Sequence, residues 1–199
     1  MKTGNLQSDK ATSHKLPNME YKPADRLATV SEYYFSRKLK EVAQMNAQGM
    51  DVISLGIGSP DMPPSEQTIK TLCEAAQNPD GHGYMPYTGI PELRKAFAAW
   101  YLRWYGVDLD PQTEIQPLIG SKEGILHVTL AFVNPGDQVL VPNPGYPTYT
   151  SLSKLLGAEV VNYDLKEENG WMPDWEQLEA MDTSRVKLMW SNYPNMPTG

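Results

Sequence analysis

The spacing of apolar residues changes its period near residue 115. Downstream, three short apolar stretches predict strands: "QVLVP" (138–142), "EVVNYD" (159–164) and "RVKLMW" (185–190). Three segments have helical spacing: "SKEGILHVTLAFV" (121–133) and the segments near 147–156 and 174–181. Strands that alternate with helices indicate βαβ units. The sequence therefore predicts an α/β fold, a mostly parallel sheet with helices on both faces.

Upstream, a polar arm of about 30 residues precedes mainly helical patterns. End signals predict helices over 31–49, with Ser31 as the N-cap, over 65–77, and from Pro91 to Gly106. The third helix is amphipathic, and five apolar residues share one of its faces: Leu93, Phe97, Trp100, Tyr101 and Trp104. Two more stretches are predicted to contain strands. "DVISLGIGSPD" (51–61) is predicted as a short strand that breaks into a glycine turn, and "EIQPLIG" (114–120) as a strand.

Composition and charge narrow the functional classes. The 199 residues carry a net charge of −7, so neither a nucleic acid nor an anionic membrane is expected as the main partner. Cys73 is the single cysteine, which rules out an internal disulfide and fits a reducing compartment. No apolar run is long enough for a membrane span, and the first ten residues lack the apolar core of a signal peptide. We therefore expect a cytoplasmic protein.

The segment "GSKEG" (120–124) lies where a predicted strand meets a predicted helix, a usual place for ligands in an open parallel sheet. Backbone N–H groups of the first helical turn point outward there, and Lys122 adds positive charge, so the segment is suited to a phosphate group. An ordinary helix start with Ser121 as the N-cap explains the same residues, and the segment alone favours that interpretation. Its glycine spacing is not that of a P-loop.

The turn "PNPGYPTY" (142–149) presents Tyr146 and Tyr149 near the same edge of the predicted sheet. Such a ring can stack on a flat ligand, although packing is its commoner role. The three histidines are far apart, so no metal site is predicted. "SLSK" (151–154) has the spacing of a serine-nucleophile or Schiff-base lysine motif, but Lys154 falls within a predicted amphipathic helix and is expected to be solvated.

Five segments occur together in the order and approximate spacing of a known family: "DVISLGIGSPD", "GYMPYTGIPELRKAF", "IGSKEGI", "NPGDQVLVPNPGYPTY" and "SNYPNMPTG". Residues 23–199 thereby resemble the fold-type I aminotransferases of the aspartate aminotransferase superfamily. The opening "PADRLATVSEYYFSRKLKEV" is most similar to the LL-diaminopimelate aminotransferase branch. The resemblance implies a pyridoxal 5'-phosphate cofactor, amino-acid and 2-oxo-acid substrates, and a homodimer with shared active sites. It also implies that 1–50 contribute an arm and a helix to a small domain and that 51–199 begin the cofactor-binding large domain.

The resemblance assigns cofactor contacts to residues that match the family's motifs. Ser121 and Lys122 match positions of the phosphate cup, with Glu123 beside them. Tyr146 matches the aromatic residue that stacks on the cofactor ring. Tyr84 matches a tyrosine that reaches the phosphate of the neighbouring subunit's cofactor.

Two further matches face the substrate. Gly58 matches the glycine whose backbone meets the substrate carboxylate, and Tyr33 resembles a substrate-facing tyrosine of the diaminopimelate branch.

The resemblance assigns no catalytic residue to these 199 positions. In the family, the Schiff-base lysine, an aspartate, a tyrosine and the carboxylate-binding arginine follow the motif that here ends at Gly199. The Schiff-base lysine is therefore expected beyond Gly199. The resemblance thus predicts that this chain is an amino-terminal fragment, without its catalytic lysine and inactive alone.

The final turn departs from the family's Asn-Asn-Pro-Thr-Gly, whose second asparagine donates a hydrogen bond to the phenolic oxygen of the cofactor. Met196 occupies that position, and its thioether cannot donate. Either Asn195 or Asn192 takes over the donation, with Asn195 favoured, or the bond is lost and the pKa of the Schiff-base linkage rises.

The implied activity is the transfer of an amino group between an amino acid and a 2-oxo acid, with a dicarboxylic or other polar donor expected. The resemblance leaves open another reaction on the same scaffold, such as that of a C–S β-lyase or a decarboxylase. A non-catalytic regulator is a further alternative, although the first 30 residues are too few and too uncharged for a DNA-binding domain. The last alternative is that the chain is a fragment that binds nothing.

Overall fold

The computed structural model describes residues 21–30, 32, 34–56, 58 and 60–199. Within them the α-helices are α1 (Tyr34–Ala47), α2 (Glu66–Gln77), α3 (Pro91–Tyr105), α4 (Ser121–Phe132), α5 (Pro147–Leu155) and α6 (Trp175–Ala180). The β-strands are β1 (Gln138–Asn143), β2 (Glu159–Asp164) and β3 (Val186–Met189). Short 3-10 turns cover Asp25–Thr29, Pro79–His82 and Glu167–Asn169. No helix in this part of the chain is long and apolar enough to cross a membrane.

The three strands form a parallel sheet in the order β2–β1–β3, with β1 in the centre. Val139 of β1 is paired with Val160 on one side and with Leu188 on the other. The register beside β3 shifts between Gln138 and Val139, where Lys187 is the additional residue. α5 connects β1 to β2, and α6 lies in the connection from β2 to β3, because parallel neighbours need a crossover. The predicted α/β fold is confirmed.

Side chains of β1 alternate between the two faces of the sheet, and both faces are covered. Val139 and Val141 pack in a buried cluster with Ile125 of α4 and Tyr149 of α5. Leu140 packs on the opposite face in a second cluster, whose other members include Tyr163 and Leu165 of the β2 region and Leu178 of α6. The central strand is therefore buried on both sides, as the continuous apolar stretch "VLV" predicts.

Several helix ends match the signals in the sequence. Ser65 is the N-cap of α2, and its Oγ accepts a hydrogen bond from the Thr68 N–H at 3.2 Å. α3 has Pro91 at its first position and ends before Gly106, whose φ is 67°. Lys154 lies in the last turn of α5 with an exposed side chain, as predicted. Ser31, the predicted N-cap of α1, lies outside the described residues.

Two sequence predictions of strands are wrong. The described residues of 51–61 and all of 114–120 contain no strand. A strand forms only when a neighbour takes up its backbone hydrogen bonds, and neither segment pairs with the described sheet. The apolar pattern indicated a preference for extended backbone, but it carries no information about a pairing partner.

The apolar face of α3 forms as predicted, but nothing in the described part of the chain buries it. Phe97, Trp100 and Tyr101 are 41%, 46% and 40% exposed, and Trp104 is 62% exposed. Together with the segment 114–118, the first three line a cavity of about 810 Å³.

Tyr163 offers a direct test of this packing. It is 1% exposed, and its hydroxyl donates a hydrogen bond to the Trp190 carbonyl oxygen at 2.6 Å. Burial raises the pKa of the Tyr163 phenol to about 12, because the charged phenolate would lose its hydration. Its contribution to stability is complete below pH 10 and is lost as the pH rises through 12.

In the protein, we therefore expect Tyr163→Phe to lower the free energy of unfolding by about 1 kcal/mol at pH 8, through the lost hydrogen bond. The stability of the wild type should fall between pH 10 and 12 as this phenol ionises, and the stability of the variant should fall less over the same range. Urea unfolding at a series of pH values measures both, with the exposed Tyr87→Phe as the control. An unchanged pH profile in Tyr163→Phe would contradict the assignment.

Candidate functional site

Three segments meet where β1 and β3 end. These strands are parallel neighbours, so the turns that follow them, 143–147 and 190–199, lie at one edge of the sheet. The start of α4 lies there too, because its other end connects through only 133–137 to the beginning of β1. Ile125 near the start of α4 and Tyr149 near the start of α5 share one buried cluster. We call the segments 120–124, 143–147 and 190–199 the carboxyl edge.

The start of α4 offers backbone N–H groups to a ligand. Gly120 is the N-cap and Ser121 the first helical residue, so Ser121 is not the N-cap that the simpler interpretation of the sequence requires. N–H groups at the start of a helix carry its partial positive charge. In α4 the N–H of Glu123, the third helical residue, donates to the Gly120 carbonyl oxygen at 3.2 Å, so the donors available to a ligand are those at the very start of the helix. The side chains of Ser121 and Lys122 are exposed, and a Cβ added at Gly120 would meet no atom within 4 Å. Open space therefore lies next to the donors.

Glu123 holds the turn that precedes α4. Its Oε2 accepts a hydrogen bond from the Ile119 N–H at 2.7 Å. Gly124 lies directly against Leu118, since an added Cβ would come within 2.5 Å of Leu118 Cδ1. These two contacts fold the loop back over the first turn of the helix.

Tyr146 is presented by a tight turn between β1 and α5. It is the N-cap of α5, and Pro147 occupies the first helical position. Only glycine fits at position 145, because an added Cβ would overlap the Pro142 carbonyl oxygen and lie 2.8 Å from Pro142 Cγ. The half-buried Tyr146 ring meets the Tyr149 ring edge-on, with 5.6 Å between the centroids. Part of the Tyr146 ring therefore remains accessible.

Tyr149 and Trp190 support Tyr146 from the core. Their rings are stacked with 5.0 Å between the centroids and 11° between the planes. The backbone N–H of Trp190 donates to the Leu140 carbonyl oxygen at 2.9 Å, which fixes Trp190 to β1. Tyr149 is 7% exposed, and this burial raises the pKa of its phenol. Of the two tyrosines that the sequence places at this edge, Tyr149 has a packing role and Tyr146 is accessible to a ligand.

Asn195 joins the turns after β1 and β3. Its side chain is 3% exposed, and Nδ2 donates to the Pro144 carbonyl oxygen at 3.3 Å and to Thr198 Oγ1 at 2.8 Å. An amide group has two such hydrogen atoms, so both are engaged.

Met196 follows Asn195 and is 46% exposed, with no hydrogen-bond donor in its side chain. Asn192 uses one amide hydrogen in a bond to the Pro194 carbonyl oxygen at 3.1 Å. Which of the alternatives for the missing family asparagine applies therefore stays a prediction.

Gly199 closes the turn after which the resemblance places the Schiff-base lysine. Its N–H donates to the Asn195 carbonyl oxygen at 2.6 Å, and its φ of 87° lies in the left-handed region that favours glycine. Gly199 itself is exposed at the carboxyl edge. The lysine expected beyond Gly199 stays a prediction.

The other predicted residues lie elsewhere or are not described. Tyr84 is fully exposed and so makes no extensive contact with the described residues of its own chain. Gly58 is exposed, and a Cβ added there would meet no atom within 4 Å. Tyr33 lies outside the described residues. The structure places five of the predicted residues at the carboxyl edge: Ser121, Lys122, Glu123, Tyr146 and Asn195.

The carboxyl edge fits a phosphorylated aromatic cofactor such as pyridoxal phosphate. The N–H groups at the start of α4, the Ser121 hydroxyl and the positive charge of Lys122 suit a phosphate group. Tyr146 offers a ring to a flat ligand. The cavity of about 810 Å³ beside α3 shares only Gly120 and Ser121 with this edge and is lined mostly by apolar side chains, so the cavity by itself does not locate the site.

Sequence reasoning missed Trp190 and Thr198 of this edge, and Tyr163 of β2, whose hydroxyl donates to the Trp190 carbonyl oxygen. The apolar stretch that ends at Trp190 predicted β3, but nothing in it showed that β3 lies beside β1 and faces Tyr149. Thr198 belongs to a recognised motif, yet its bond to Asn195 could not be inferred from spacing.

Comparison with known proteins gives consistent matches. The family model for aminotransferase class I and II matches residues 50–199. An LL-diaminopimelate aminotransferase of Dehalococcoides mccartyi is 46% identical over 178 residues, which are 89% of this chain and 46% of that protein. The apo-BacF structure from Bacillus subtilis is 42% identical with a TM-score of 0.83, over 90% of this chain and 46% of that one. An alanine aminotransferase from Pyrococcus furiosus is 34% identical with a TM-score of 0.80, over 89% and 45%. The chain thus spans about half the length of the relatives it matches.

Proposed function

Because this chain belongs to the class I and II aminotransferase family, we propose that the whole protein is a pyridoxal-phosphate-dependent aminotransferase. It would move an amino group between an amino acid and a 2-oxo acid. The supporting observation is the carboxyl edge, where the N-terminus of α4 and the accessible ring of Tyr146 come together at the ends of parallel strands. A phosphate seat beside an aromatic platform matches the two ends of the proposed cofactor.

The residues of the carboxyl edge have separate roles in this proposal. Ser121, Lys122 and the N–H groups of their helical turn hold the cofactor phosphate, while Glu123 keeps that turn in shape through the Ile119 N–H. Tyr146 stacks on the cofactor ring and excludes water from that side. Asn195 belongs to the same site through the turn that it holds.

The remaining predicted residues concern the partner subunit and the substrate. Tyr84 reaches the cofactor phosphate of a second copy, which fits its complete exposure within its own chain. This role makes the whole protein a homodimer with shared sites. Gly58 meets the substrate carboxylate with its backbone, where no side chain obstructs the approach. Tyr33 faces the substrate.

When bound, the cofactor supplies an electron sink for the substrate carbanion. The residues of this chain bind and orient it, through a phosphate anchor at one end and a ring contact at the other. The proton transfers require a base that the resemblance assigns to a lysine beyond Gly199, in the rest of the whole protein.

For the cofactor, we expect absorbance titration of the whole protein with pyridoxal phosphate to produce a new band that borohydride removes. Lys122→Ala should weaken binding about tenfold, since a charged phosphate contact contributes about 1.4 kcal/mol. Lys154→Ala, an exposed lysine on α5, is the matched control and should bind as the wild type does. Pyridoxal, which lacks the phosphate group, should bind Lys122→Ala and the wild type with equal affinity. Absence of the band at saturating cofactor would disprove the proposed cofactor.

For the substrate, we propose a dicarboxylic or other polar amino-acid donor. The relative named LL-diaminopimelate aminotransferase makes LL-diaminopimelate the first donor to test. A panel of amino acids with 2-oxoglutarate should give glutamate with this donor class. Activity confined to branched-chain or aromatic donors contradicts the proposed substrate class. Release of carbon dioxide or of a thiol without glutamate would instead indicate a decarboxylase or a β-lyase.

A further inference from the structure

Asn195 differs from the other buried polar side chains in the described part of the chain. Thr129 and Ser153 are also buried, and each donates to a carbonyl oxygen four residues earlier in its own helix. Asn195 instead connects two segments that are 51 residues apart in sequence, the turn after β3 and the turn after β1. Its role is therefore to fix one segment relative to another.

The geometry also limits what else the Asn195 amide can do. Both Nδ2 hydrogen atoms are engaged, by the Pro144 carbonyl oxygen and by Thr198 Oγ1. A buried donor that gives up its partner loses the free energy of that bond. Donation to a third group would therefore require one of these two bonds to break.

The segment held by Asn195 is the one that presents the accessible ring of the site. Pro144 lies two residues before Tyr146, and Gly145 between them has no space for a side chain that could add a contact. On its other side, Tyr146 packs against the buried cluster that contains Tyr149, whose ring it meets edge-on. The bond from Asn195 is thus the polar link that holds this turn against the turn after β3.

We propose that Asn195 is a positioning residue that sets the Tyr146 ring through Pro144 and does not itself donate a hydrogen bond to the cofactor. This inference rests on the proposed function for the ring contact, whereas the link between the two turns does not depend on it. Direct donation from Asn195 to the cofactor is the competing result of the test.

The test is a double-mutant cycle in the whole protein, with the dissociation constant of pyridoxal phosphate as the readout. Asn195→Ala and Tyr146→Ala should each weaken binding about tenfold, on the scale of one to two net interactions. If Asn195 acts through Tyr146, the double variant should bind like Tyr146→Ala alone. Additive effects, or wild-type binding by Asn195→Ala, overturn the proposal.

A pH titration separates positioning from donation. Absorbance titration with pH reports the cofactor's own ionisation, which a direct donor would shift and a positioning residue would leave in place. In Asn195→Ala we expect an unchanged midpoint at weaker binding, and a shifted midpoint contradicts the proposal. Asn162→Ala, an exposed asparagine on β2, is the matched control and should change neither quantity.

Hydrogen exchange in the cofactor-free protein tests the link independently of the proposed function. Asn195→Ala should speed exchange of the Tyr149 amide, which donates to the Tyr146 carbonyl oxygen at 3.2 Å, about tenfold relative to the amides of β2. Thr198→Val removes only one of the two bonds and should produce a smaller increase in a variant that keeps the fold. Unchanged exchange in both variants overturns the proposal. If the whole protein binds no cofactor but exchange rises, the aminotransferase function fails and the link between the turns stands.

Discussion

Residues 1–199, expressed by themselves, are expected to show no cooperative thermal unfolding and no aminotransferase activity. Large apolar side chains in the described part of the chain are exposed to solvent. The aromatic face of α3 is the clearest case, where Trp100 and Trp104 are 46% and 62% exposed. About 400 Å² of exposed apolar surface corresponds to about 10 kcal/mol, which equals the net stability of a typical domain.

Calorimetry and near-ultraviolet circular dichroism of the isolated polypeptide measure whether it unfolds cooperatively. Binding of a hydrophobic dye reports its exposed apolar surface. The whole protein under the same conditions is the control for both folding and amino transfer to 2-oxoglutarate. A single sharp transition with ordered aromatic signals would show that residues 1–199 bury the aromatic face of α3 themselves and would contradict the prediction. Activity of the isolated polypeptide would place every catalytic group inside it and would contradict a lysine beyond Gly199.

The parts of the fold that the sequence predicts correctly are local. β1, α5 and β2 follow one another with short connections, so the change from apolar stretches to helical spacing is enough to predict a parallel pair and its crossover. The starts and ends of α2 and α3 depend on single residues, Ser65 and Gly106, whose local preferences are strong.

The parts that it does not predict depend on pairing between distant segments. The apolar residues of 114–120 and 51–61 resemble strands, but backbone pairing is decided by a partner that the pattern does not name. The candidate site shows the same division. Motif order points to Ser121, Lys122 and Tyr146, whereas the stack of Tyr149 on Trp190 requires knowing that β3 lies beside β1.

Gly145→Ala is expected to lower the free energy of unfolding of the whole protein by about 1–3 kcal/mol, the usual cost of forcing extra atoms into a packed site. The added methyl group would overlap the Pro142 carbonyl oxygen, which is backbone at the end of the buried strand β1 and cannot rotate away. The turn must therefore move. Because the same turn carries Tyr146 and the Pro144 carbonyl that Asn195 binds, we also expect cofactor affinity to fall by more than tenfold.

Gly83→Ala is the matched control for stability, because Gly83 has a φ of −72° and an added Cβ would meet no atom within 4 Å. Its effect on the free energy of unfolding should stay within about 0.5 kcal/mol. Chemical denaturation gives the stability of both variants, and fluorescence titration gives their affinity for pyridoxal phosphate. If Gly145→Ala is as stable as Gly83→Ala and binds the cofactor normally, a methyl group fits beside Pro142 after all. The described turn, and with it the placement of Tyr146, would then be wrong. If stability falls but affinity does not, the turn is tight as described and Tyr146 does not form the cofactor platform.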